Sequence, residues 1–239
     1  MKNIKLEGSG LPKTTMFMLM SIDGKISTGD DEEHDFDADL PKLESTRMGL
    51  QHYYDLEKQT AEWTVGSGRT QAKVLKNIPI ERVLPTQASA VVVDNHYVND
   101  ELLEKLAKKF KGVVLATTRN GRFSSTPSNV VVEYFPSNDI YVPLEPLVRT
   151  LYHEYGVREL CLQGGGDLNA SFLREGLVDE IHIVVAPLIV GGKTVPGLVG
   201  GINPISLKSV HQLDLIGYDF PGNDYVCLRY RVLKNKETT

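Results

Sequence analysis

The stretch that decides the fold is Leu160-Cys161-Leu162-Gln163-Gly164-Gly165-Gly166-Asp167-Leu168, an apolar strand that ends in three glycines and leads into a helix. Unpaired backbone N–H groups at a helix start, together with the positive end of the helix dipole, attract anions. Glycines let a phosphate come close to these groups. The stretch therefore indicates a phosphate-binding turn, and a tight strand-to-helix connection without a ligand is the alternative.

Apolar runs of strand length alternate with longer amphipathic stretches on the N-terminal side of this turn. The alternation predicts an α/β fold with a mostly parallel central sheet and helices on both faces. After the turn, strands follow one another without a strong helix, so we expect antiparallel C-terminal strands. The predicted strands are residues 14–21, 62–65, 88–94, 113–118, 130–135, 159–163, 180–189, 210–218 and 225–233. The predicted helices are residues 43–59, 100–110 with Asn99 or Asp100 as the cap, 143–155, 168–175 and a short helix that ends at residue 75.

The length and charge of the chain limit the classes of protein to which it could belong. At 239 residues we expect one domain, with a core at about residues 11–233 and short flexible termini. The net charge of −5 and the lack of a long Lys/Arg run argue against nucleic acid as a partner. No stretch approaches the roughly 18 apolar residues of a membrane span, and the start has no apolar leader. We therefore expect a cytoplasmic protein with no membrane partner.

Two groups of side chains that could bind metal or react have simpler explanations. Residues 30–39 are strongly acidic but lack the ligand spacing and the closing Glu of a calcium loop, which favours a solvated loop. Cys161 and Cys227 lie in apolar, strand-like runs, which predicts buried thiols. We expect no metal site. Residues 191–204, rich in Gly and Pro, are expected to be irregular.

A second glycine-rich turn, Gly66-Ser67-Gly68-Arg69-Thr70, also joins a strand to a helix. Its arginine suits a phosphate, and its hydroxyl can cap the helix or bind a phosphate oxygen. The turn resembles the first half of a Rossmann fingerprint, in which Asp94 at the end of the next strand would bind ribose. Gln71 stands where the third glycine would be. A capped helix start without a ligand is the alternative.

A third polar turn, Thr117-Thr118-Arg119-Asn120, follows directly on a strand. Hydroxyls and a guanidinium at this position could hold the 2′-phosphate that distinguishes NADP from NAD. Arg122 lies two residues further on. An ordinary polar loop is the alternative.

Read in order, these turns and three further segments resemble a known family. The further segments are Met20-Ser21-Ile22-Asp23-Gly24-Lys25-Ile26-Ser27, Gly176-Leu177-Val178-Asp179-Glu180 and Ala186-Pro187-Leu188-Ile189-Val190-Gly191-Gly192. The ordered set, over about residues 11–232, resembles the reductase domain of riboflavin biosynthesis. That domain is the C-terminal half of the bacterial bifunctional deaminase-reductase and has a dihydrofolate-reductase-like fold. A deaminase zinc signature is missing from the sequence.

The resemblance implies an NADPH-dependent oxidoreductase like the riboflavin-pathway 5-amino-6-(5-phosphoribosylamino)uracil reductase, which transfers hydride to the ribose of this phosphoribosylamino-pyrimidine. It gives Lys25 a catalytic role in orienting this small-molecule substrate, whereas composition alone would favour an exposed turn lysine. The expected substrate contacts are Asp23, Ser27 and Gln163. With Asp94 added from the Rossmann-like pattern, the expected cofactor contacts are Gly68, Arg69, Thr70, Asp94, Thr118, Arg119, Gly164, Gly165, Gly166, Asp167 and Leu168.

The sequence departs from this family in two places. Gln163 stands where the family usually has Glu, so a neutral amide replaces a carboxylate. Residues 71–83 lack the family's Asp-Asp-Pro segment and the arginine beyond it that helps to hold the substrate phosphate. Lys73, Lys76 or Arg82 could substitute for that arginine.

Two other functions stay open, the second of them because of these departures. One is a dihydrofolate- or pterin-type reductase, for which Glu44 or Asp55 would be the acid that engages the pterin. The other is a protein that binds NADPH without catalysing a reduction. In each case the apolar, strand-rich tail favours a homodimer formed through the terminal strands or residues 191–204.

Overall fold

The structure, a computed structural model, describes residues 10–137, 141–201 and 206–234. The flexible termini that the sequence predicts lie almost wholly outside the described residues, and so do residues 202–204 of the predicted irregular loop. By its internal contacts the chain divides into two compact units. The first contains the described residues up to 13 and residues 61–164, and the second contains residues 14–60 and the described residues from 165 onwards.

The described residues form strands and helices at nearly all the predicted places. The strands are β1 (Lys13–Ser21), β2 (Trp63–Ser67), β3 (Ser89–Val93), β4 (Val113–Thr117), β5 (Val130–Tyr134), β6 (Glu159–Leu162), β7 (Glu180–Ala186), β8 (Gln212–Gly222) and β9 (Tyr225–Leu233). The α-helices are α1 (Phe36–Asp39), α2 (Glu44–Arg47), α3 (Leu50–Glu57), α4 (Gly68–Leu75), α5 (Asp100–Lys109), α6 (Leu144–His153) and α7 (Gly166–Arg174). Short 3-10 helices lie at Leu40–Lys42, Ile80–Arg82 and Leu207–Ser209.

The first unit is built on five parallel strands. β3 pairs with β2 and β4, β5 pairs with β4, and β6 pairs with β2. Almost every residue of β3 and β4 is buried, as expected for parallel strands that are covered on both faces. Parallel strands bring their carboxyl ends to one edge of a sheet. The polar turns that follow β2, β3 and β4 therefore lie at the same edge of this unit.

Helix α5 illustrates how the sheet of the first unit is covered. Asn99 caps the helix, because its Oδ1 accepts a hydrogen bond from the Leu102 N–H at 2.8 Å. This confirms one of the two predicted caps. The buried leucines of α5 contribute about 1.5–3 kcal/mol each by leaving water, and they pack into the same core as β3 and β4; they are Leu102, Leu103 and Leu106.

The second unit contains the remaining four strands. β1 and β7 are parallel, whereas β9 is antiparallel to both β7 and β8. The predicted antiparallel C-terminal strands are thus confirmed. A tight turn at Asn223 and Asp224, with φ values of 51° and 63°, connects β8 to β9. Asn and Asp tolerate this left-handed region better than other side chains do.

The predicted helix over residues 43–59 is wrong, because the chain breaks there into α2 and α3. The break lies at Gly49, beside the buried ring of Tyr225 at the start of β9. A Cβ atom on Gly49 would lie 2.2 Å from two ring carbons of Tyr225. The hydroxyl of Tyr225 also donates to the Thr46 carbonyl at 2.9 Å. A residue far along the chain therefore packs against this segment at the point where the two helices meet.

The acidic residues 30–39 and the two cysteines were also the subject of sequence predictions. The acidic residues 30–39 include one helical turn, α1, because Asp35 caps it by accepting from the Asp37 N–H at 2.9 Å. Cys161 and Cys227 are both buried, as predicted, and burial raises the pKa of the Cys227 thiol. Within the described part of the chain, every helix is too short or too polar to cross a membrane.

Candidate active site

The glycine turn lies between β6 and α7. Gly164 is buried at the end of the first unit, and α7 begins in the second unit with Gly165 as its N-cap residue. This cap has no side chain, so the first N–H groups of the helix keep their capacity for an anion. Asp167 is exposed in the first turn, and Leu168 is half-buried. Phosphate binding at this turn stays a prediction, and the absence of a side-chain cap on α7 is compatible with it.

The turn after β1 is held in shape by Asp23. Its carboxylate accepts hydrogen bonds from the Ser21 hydroxyl at 2.6 Å, from the Val190 N–H at 3.1 Å and from the Gly191 N–H at 2.7 Å. These three donors favour the charged form and lower the pKa of Asp23 to about 2, with the Ser21 hydroxyl as the largest cause. Asp23 therefore connects two segments of the second unit through an ionised carboxylate.

Lys25, in the same turn, is half-buried. Its ammonium donates to the Val195 carbonyl at 3.0 Å, and its backbone N–H donates to the Ser21 hydroxyl at 2.9 Å. An ammonium has three donors, so two remain for a substrate. Ser27 has a different environment, because it is 3% exposed and its hydroxyl donates to the His34 carbonyl at 2.7 Å. Of the two, Lys25 has the better geometry for a substrate contact.

The second glycine turn, in the first unit, is a capped helix start. Ser67 is the N-cap of α4, and its hydroxyl oxygen accepts from the Thr70 N–H at 3.2 Å. The two hydroxyl groups of Ser67 and Thr70 are 2.9 Å apart. Gly68 is required for space, since a Cβ atom there would lie 2.2 Å from Oδ1 of Asp94. Arg69 is exposed beside it.

The carboxylate of Asp94, at the end of β3, is buried and extensively hydrogen-bonded. It accepts from the backbone N–H groups of Tyr97 and Val98, at 3.0 to 3.1 Å, and forms an ion pair with Arg122 at 2.8 Å. The side chain of Asp94 is 2% exposed and that of Arg122 is 12% exposed. This geometry gives Asp94 a role in shaping the loop after β3. Its role as a ribose ligand stays a prediction.

The third polar turn is shaped by Asn95, the residue after Asp94. Its side-chain Oδ1 accepts from the Thr117 hydroxyl at 2.9 Å and from the Thr118 N–H at 2.8 Å. Thr117 in turn accepts from the Arg119 N–H at 3.2 Å. The side chain of Arg119 is exposed and its guanidinium has no partner within the described ranges of the chain. It is therefore available to a ligand.

Three further candidates for substrate contacts are Gln163, Glu44 and Asp55. Gln163 accepts a hydrogen bond from the Thr64 hydroxyl at 2.8 Å, through Oε1. Glu44 and Asp55, the two candidate pterin acids, lie on short helices of the second unit. Both are exposed, and Asp55 is paired with Lys58 at 3.0 Å. The pterin alternative therefore gains no support from the surroundings of these two acids.

Comparison with known proteins identifies the family. A sequence profile described as the RibD C-terminal domain matches residues 12–217. The chain belongs to the RibD C-terminal domain family. Among its relatives is the 2,5-diamino-6-ribosylamino-4(3H)-pyrimidinone 5′-phosphate reductase of Aquifex aeolicus, 28% identical over 61% of this chain and 62% of the relative. The reductase of the same name from Methanothermobacter thermautotrophicus is 33% identical over 57% of this chain and 53% of the relative.

The riboflavin biosynthesis protein RibD of Bacillus amyloliquefaciens is 26% identical over 86% of this chain and 53% of the relative. The chain thus spans between 53% and 62% of the length of these three RibD-family relatives. The family membership confirms the resemblance stated from the sequence.

Solved structures support the fold. The deaminase/reductase of Thermotoga maritima superimposes with a TM-score of 0.66 at 18% identity, over 93% of this chain and 57% of that one. The riboflavin biosynthesis reductase Rib7 of Saccharomyces cerevisiae gives a TM-score of 0.63 at 18% identity, over 95% and 92% of the two chains. At this identity the likeness shows the fold alone. The predicted α/β, dihydrofolate-reductase-like fold of the RibD family is confirmed.

Sequence reasoning missed several residues that organise these turns. Asn95 follows a buried strand directly, as Asp94 does, and a polar residue at the carboxyl end of a parallel strand is a usable signal. Arg122 was noted only for its position, because two of its partners, Val98 and Asp94, lie 24 and 28 residues earlier in the chain. Asn169 in α7 had one weak signal, a polar side chain among the apolar residues of a helix.

Proposed function

We propose that this chain is an NADPH-dependent reductase that transfers hydride to the ribose of a phosphoribosylamino-pyrimidine in riboflavin biosynthesis. The observation that carries the proposal is the uncapped start of α7 at Gly165 and Gly166, in a chain of the RibD C-terminal domain family. The relatives named as pyrimidinone phosphate reductases support the substrate class. A nicotinamide cofactor follows from the reductase family in general.

The choice of NADPH is supported by Arg119. An exposed guanidinium that has no partner among the described residues, directly after a strand, is suited to bind a phosphate through paired hydrogen bonds. The proposed cofactor contacts are Gly68, Arg69, Thr70, Thr118, Arg119, Gly164, Gly165, Gly166, Asp167 and Leu168. The carboxylate of Asp94 lies against Gly68 and so stabilises the turn that carries Gly68, Arg69 and Thr70.

The proposed reaction places a hydride on the ribose. When bound, NADPH would supply a hydride to C1′ of the ribose, and the ring oxygen released from C1′ would take up a proton. The products are the open ribityl chain and NADP⁺. Lys25 holds the substrate with its two remaining donors, and Asp23 keeps the turn that carries Lys25 in shape.

The test is the loss of NADPH absorbance with 2,5-diamino-6-ribosylamino-4(3H)-pyrimidinone 5′-phosphate as the substrate. Deuterium at C4 of NADPH should appear at C1′ of the product by mass spectrometry. Turnover of dihydrofolate with inhibition by an antifolate would instead establish the pterin reductase. Tight NADPH binding, seen by fluorescence, with no turnover of pyrimidines, pterins or small carbonyls would establish the binding protein.

A variant of Arg119 tests the cofactor. Arg119→Ala removes a charge-assisted contact to the 2′-phosphate, so the KM for NADPH should rise about tenfold or more while the KM for NADH stays constant. Arg149→Ala is the matched control, because Arg149 is also exposed but is paired with Glu145 on α6. If Arg119→Ala changes the two KM values equally, the 2′-phosphate is bound elsewhere.

We further propose that the protein is a homodimer formed through β8. In the described chain β8 pairs with β9 on one side, and its other edge is open for pairing. The strand exposes a row of apolar side chains, with Leu215, Tyr218 and Phe220 being 54%, 61% and 72% exposed. Pairing of this edge with a second copy of β8, related by a two-fold axis, would place the row beside the same row of the partner.

A further inference from the structure

Residues 195–201, which we call the strap, are bound to the turn after β1. The Ile26 N–H donates to the Pro196 carbonyl and the Leu198 N–H donates to the Gly24 carbonyl, both at 3.0 Å. The ammonium of Lys25 donates to the Val195 carbonyl at the same distance. The position of the strap therefore decides where the Lys25 ammonium lies.

The other side of the strap lies on the start of α7. The Gly200 N–H donates to the Gly166 carbonyl at 2.9 Å. A Cβ atom on Gly166 would lie 2.7 Å from the Gly197 carbonyl oxygen, and one on Gly200 would lie 2.6 Å from Oδ1 of Asp167. Both glycines are needed because the two segments approach so closely.

Asn169 makes the one side-chain hydrogen bond from α7 to the strap that is found in the described residues. Its Nδ2 donates to the Leu198 carbonyl at 2.9 Å, and the residue is 0% exposed. Its Oδ1 is buried and has no hydrogen-bond partner in the described chain. A buried acceptor without a partner lowers the stability of the fold, and Asn is an unfavourable residue inside a helix. Because Asn169 is present despite both effects, we infer that its hydrogen bond to Leu198 has a function.

We propose that Asn169 is a positioning residue, which fastens the strap to α7 and so fixes the ammonium of Lys25 for the substrate. The inference rests on the proposed function, because the substrate contact of Lys25 is part of it. Asn169 itself does not reach the reacting atoms. It acts through Leu198, along the strap to Val195, and from there to Lys25.

The variant Asn169→Leu tests this role, since leucine has a similar volume and removes both the donor and the unpaired acceptor. The fold should tolerate it. Hydrogen exchange at the amides of Leu198 and Gly200 should become about fivefold faster, and the KM for the pyrimidine should rise by a similar factor. The KM for NADPH and the melting temperature should change little.

The matched control is Asn129→Leu. Asn129 in the first unit also donates its Nδ2 to main-chain carbonyls, those of Ala107 at 2.9 Å and Phe110 at 3.1 Å. This variant should lower the melting temperature without changing either the strap exchange or the KM for the pyrimidine. An equal effect of both variants on that KM would overturn the proposal, because a general loss of stability would then explain it.

A double-mutant cycle with Lys25→Ala shows whether Asn169 acts through Lys25. In the Lys25→Ala background, Asn169→Leu should still speed strap exchange but should no longer raise the KM. Additive effects on the KM, or strap exchange at the wild-type rate in Asn169→Leu, would overturn the proposal. Failure of the wild-type protein to reduce the pyrimidine would contradict the proposed function alone, because the exchange measurement needs no turnover.

Discussion

The carboxylate of Asp23 connects segments that are 167 and 168 residues apart in sequence, the turn after β1 and the residues that follow β7. It accepts two backbone N–H groups and one hydroxyl, and each of them is a better partner for the charged carboxylate than for the neutral acid. The exposed position of Asp23 does not prevent this, since the donors are held at short range. Ionisation of one residue thus contributes to the shape of the proposed substrate turn.

The contacts of Asp23 should make the stability of the fold depend on pH. The folded pKa of about 2 lies below the value of about 3.9 in an unfolded chain. The stabilisation is therefore complete above pH of about 4 and is lost as the pH falls towards 2. Asp23→Asn should unfold at lower urea than the wild type at pH 6, and the two midpoints should converge near pH 2. Glu104→Gln, at an exposed acid of α5, should follow the wild type throughout; a constant gap for Asp23→Asn would contradict the assignment.

For single residues, the sequence predicted which side chains occupy the turns but not which protein groups they contact. Asp23 and Lys25 were placed in the turn after β1 by their order along the chain. Their partners, Val190, Gly191 and Val195, come from a distant loop. Local patterns hold no information on such pairs, because the contacts depend on how the strands of the second unit are arranged.

At the scale of elements, the carboxyl ends of β3 and β4 are joined by Arg122. Its guanidinium donates to the Asp94 carboxylate and carbonyl, to the Val98 carbonyl and to the Thr117 hydroxyl, at 2.8 to 3.3 Å. A planar fork of five donors can reach all these acceptors, whereas an ammonium cannot. The turns that carry Gly68 and Thr118 therefore depend on one arginine.

Replacement of Arg122 should be strongly destabilising. Arg122→Ala leaves the buried carboxylate of Asp94 without its cation, which costs about 3 kcal/mol in the free energy of unfolding measured with urea. Arg122→Lys should recover only part of this loss, because lysine keeps the charge but not the fork. Removing both partners in Arg122→Met with Asp94→Asn should cost less than the sum of the single changes. Equal stability of the lysine variant and the wild type would contradict this role.

Gly49 provides a prediction about the break between α2 and α3. Its φ of −84° suits any residue, so only space requires glycine. Gly49→Ala places a methyl group against the ring of Tyr225 and should lower the free energy of unfolding by about 2 kcal/mol. Gly112→Ala is the control, since its new Cβ would meet Ser89 Oγ at an ordinary 3.6 Å. Similar costs for both variants would show that space beside Tyr225 is not the cause.

The same break marks the limit of prediction for elements. Strands such as β3 and β4 were found from continuous apolar runs, because burial on both faces leaves a local signal. The helix over residues 43–59 was predicted by the same reasoning and is wrong. Its apolar spacing is real, but the helix is interrupted at Met48 and Gly49. The ring of Tyr225, 176 residues away, leaves no room for a side chain at Gly49, and no local pattern reports that contact.

At the scale of the whole molecule, the exposed face of β8 needs an explanation. A lone exposed apolar residue is ordinary, but a continuous row on an edge strand invites pairing. A two-fold axis beside β8 would bring each side chain of the row against the same row of the partner. The apolar character of the tail predicts a homodimer, and the exposed side chains of Leu215, Tyr218 and Phe220 form the surface that we propose for it.

A charge placed in this row tests the dimer. Leu215→Asp should raise the dimer dissociation constant roughly 100-fold, because a carboxylate would be buried against apolar side chains of the partner. Sedimentation velocity over a concentration series gives that constant. Val131→Asp is the matched control, since Val131 is a 45% exposed apolar residue on β5. A wild-type protein that sediments as a monomer, or equal weakening by both variants, would exclude β8 as the interface. Circular dichroism of Leu215→Asp should stay unchanged, because the side chain already faces water in the single chain.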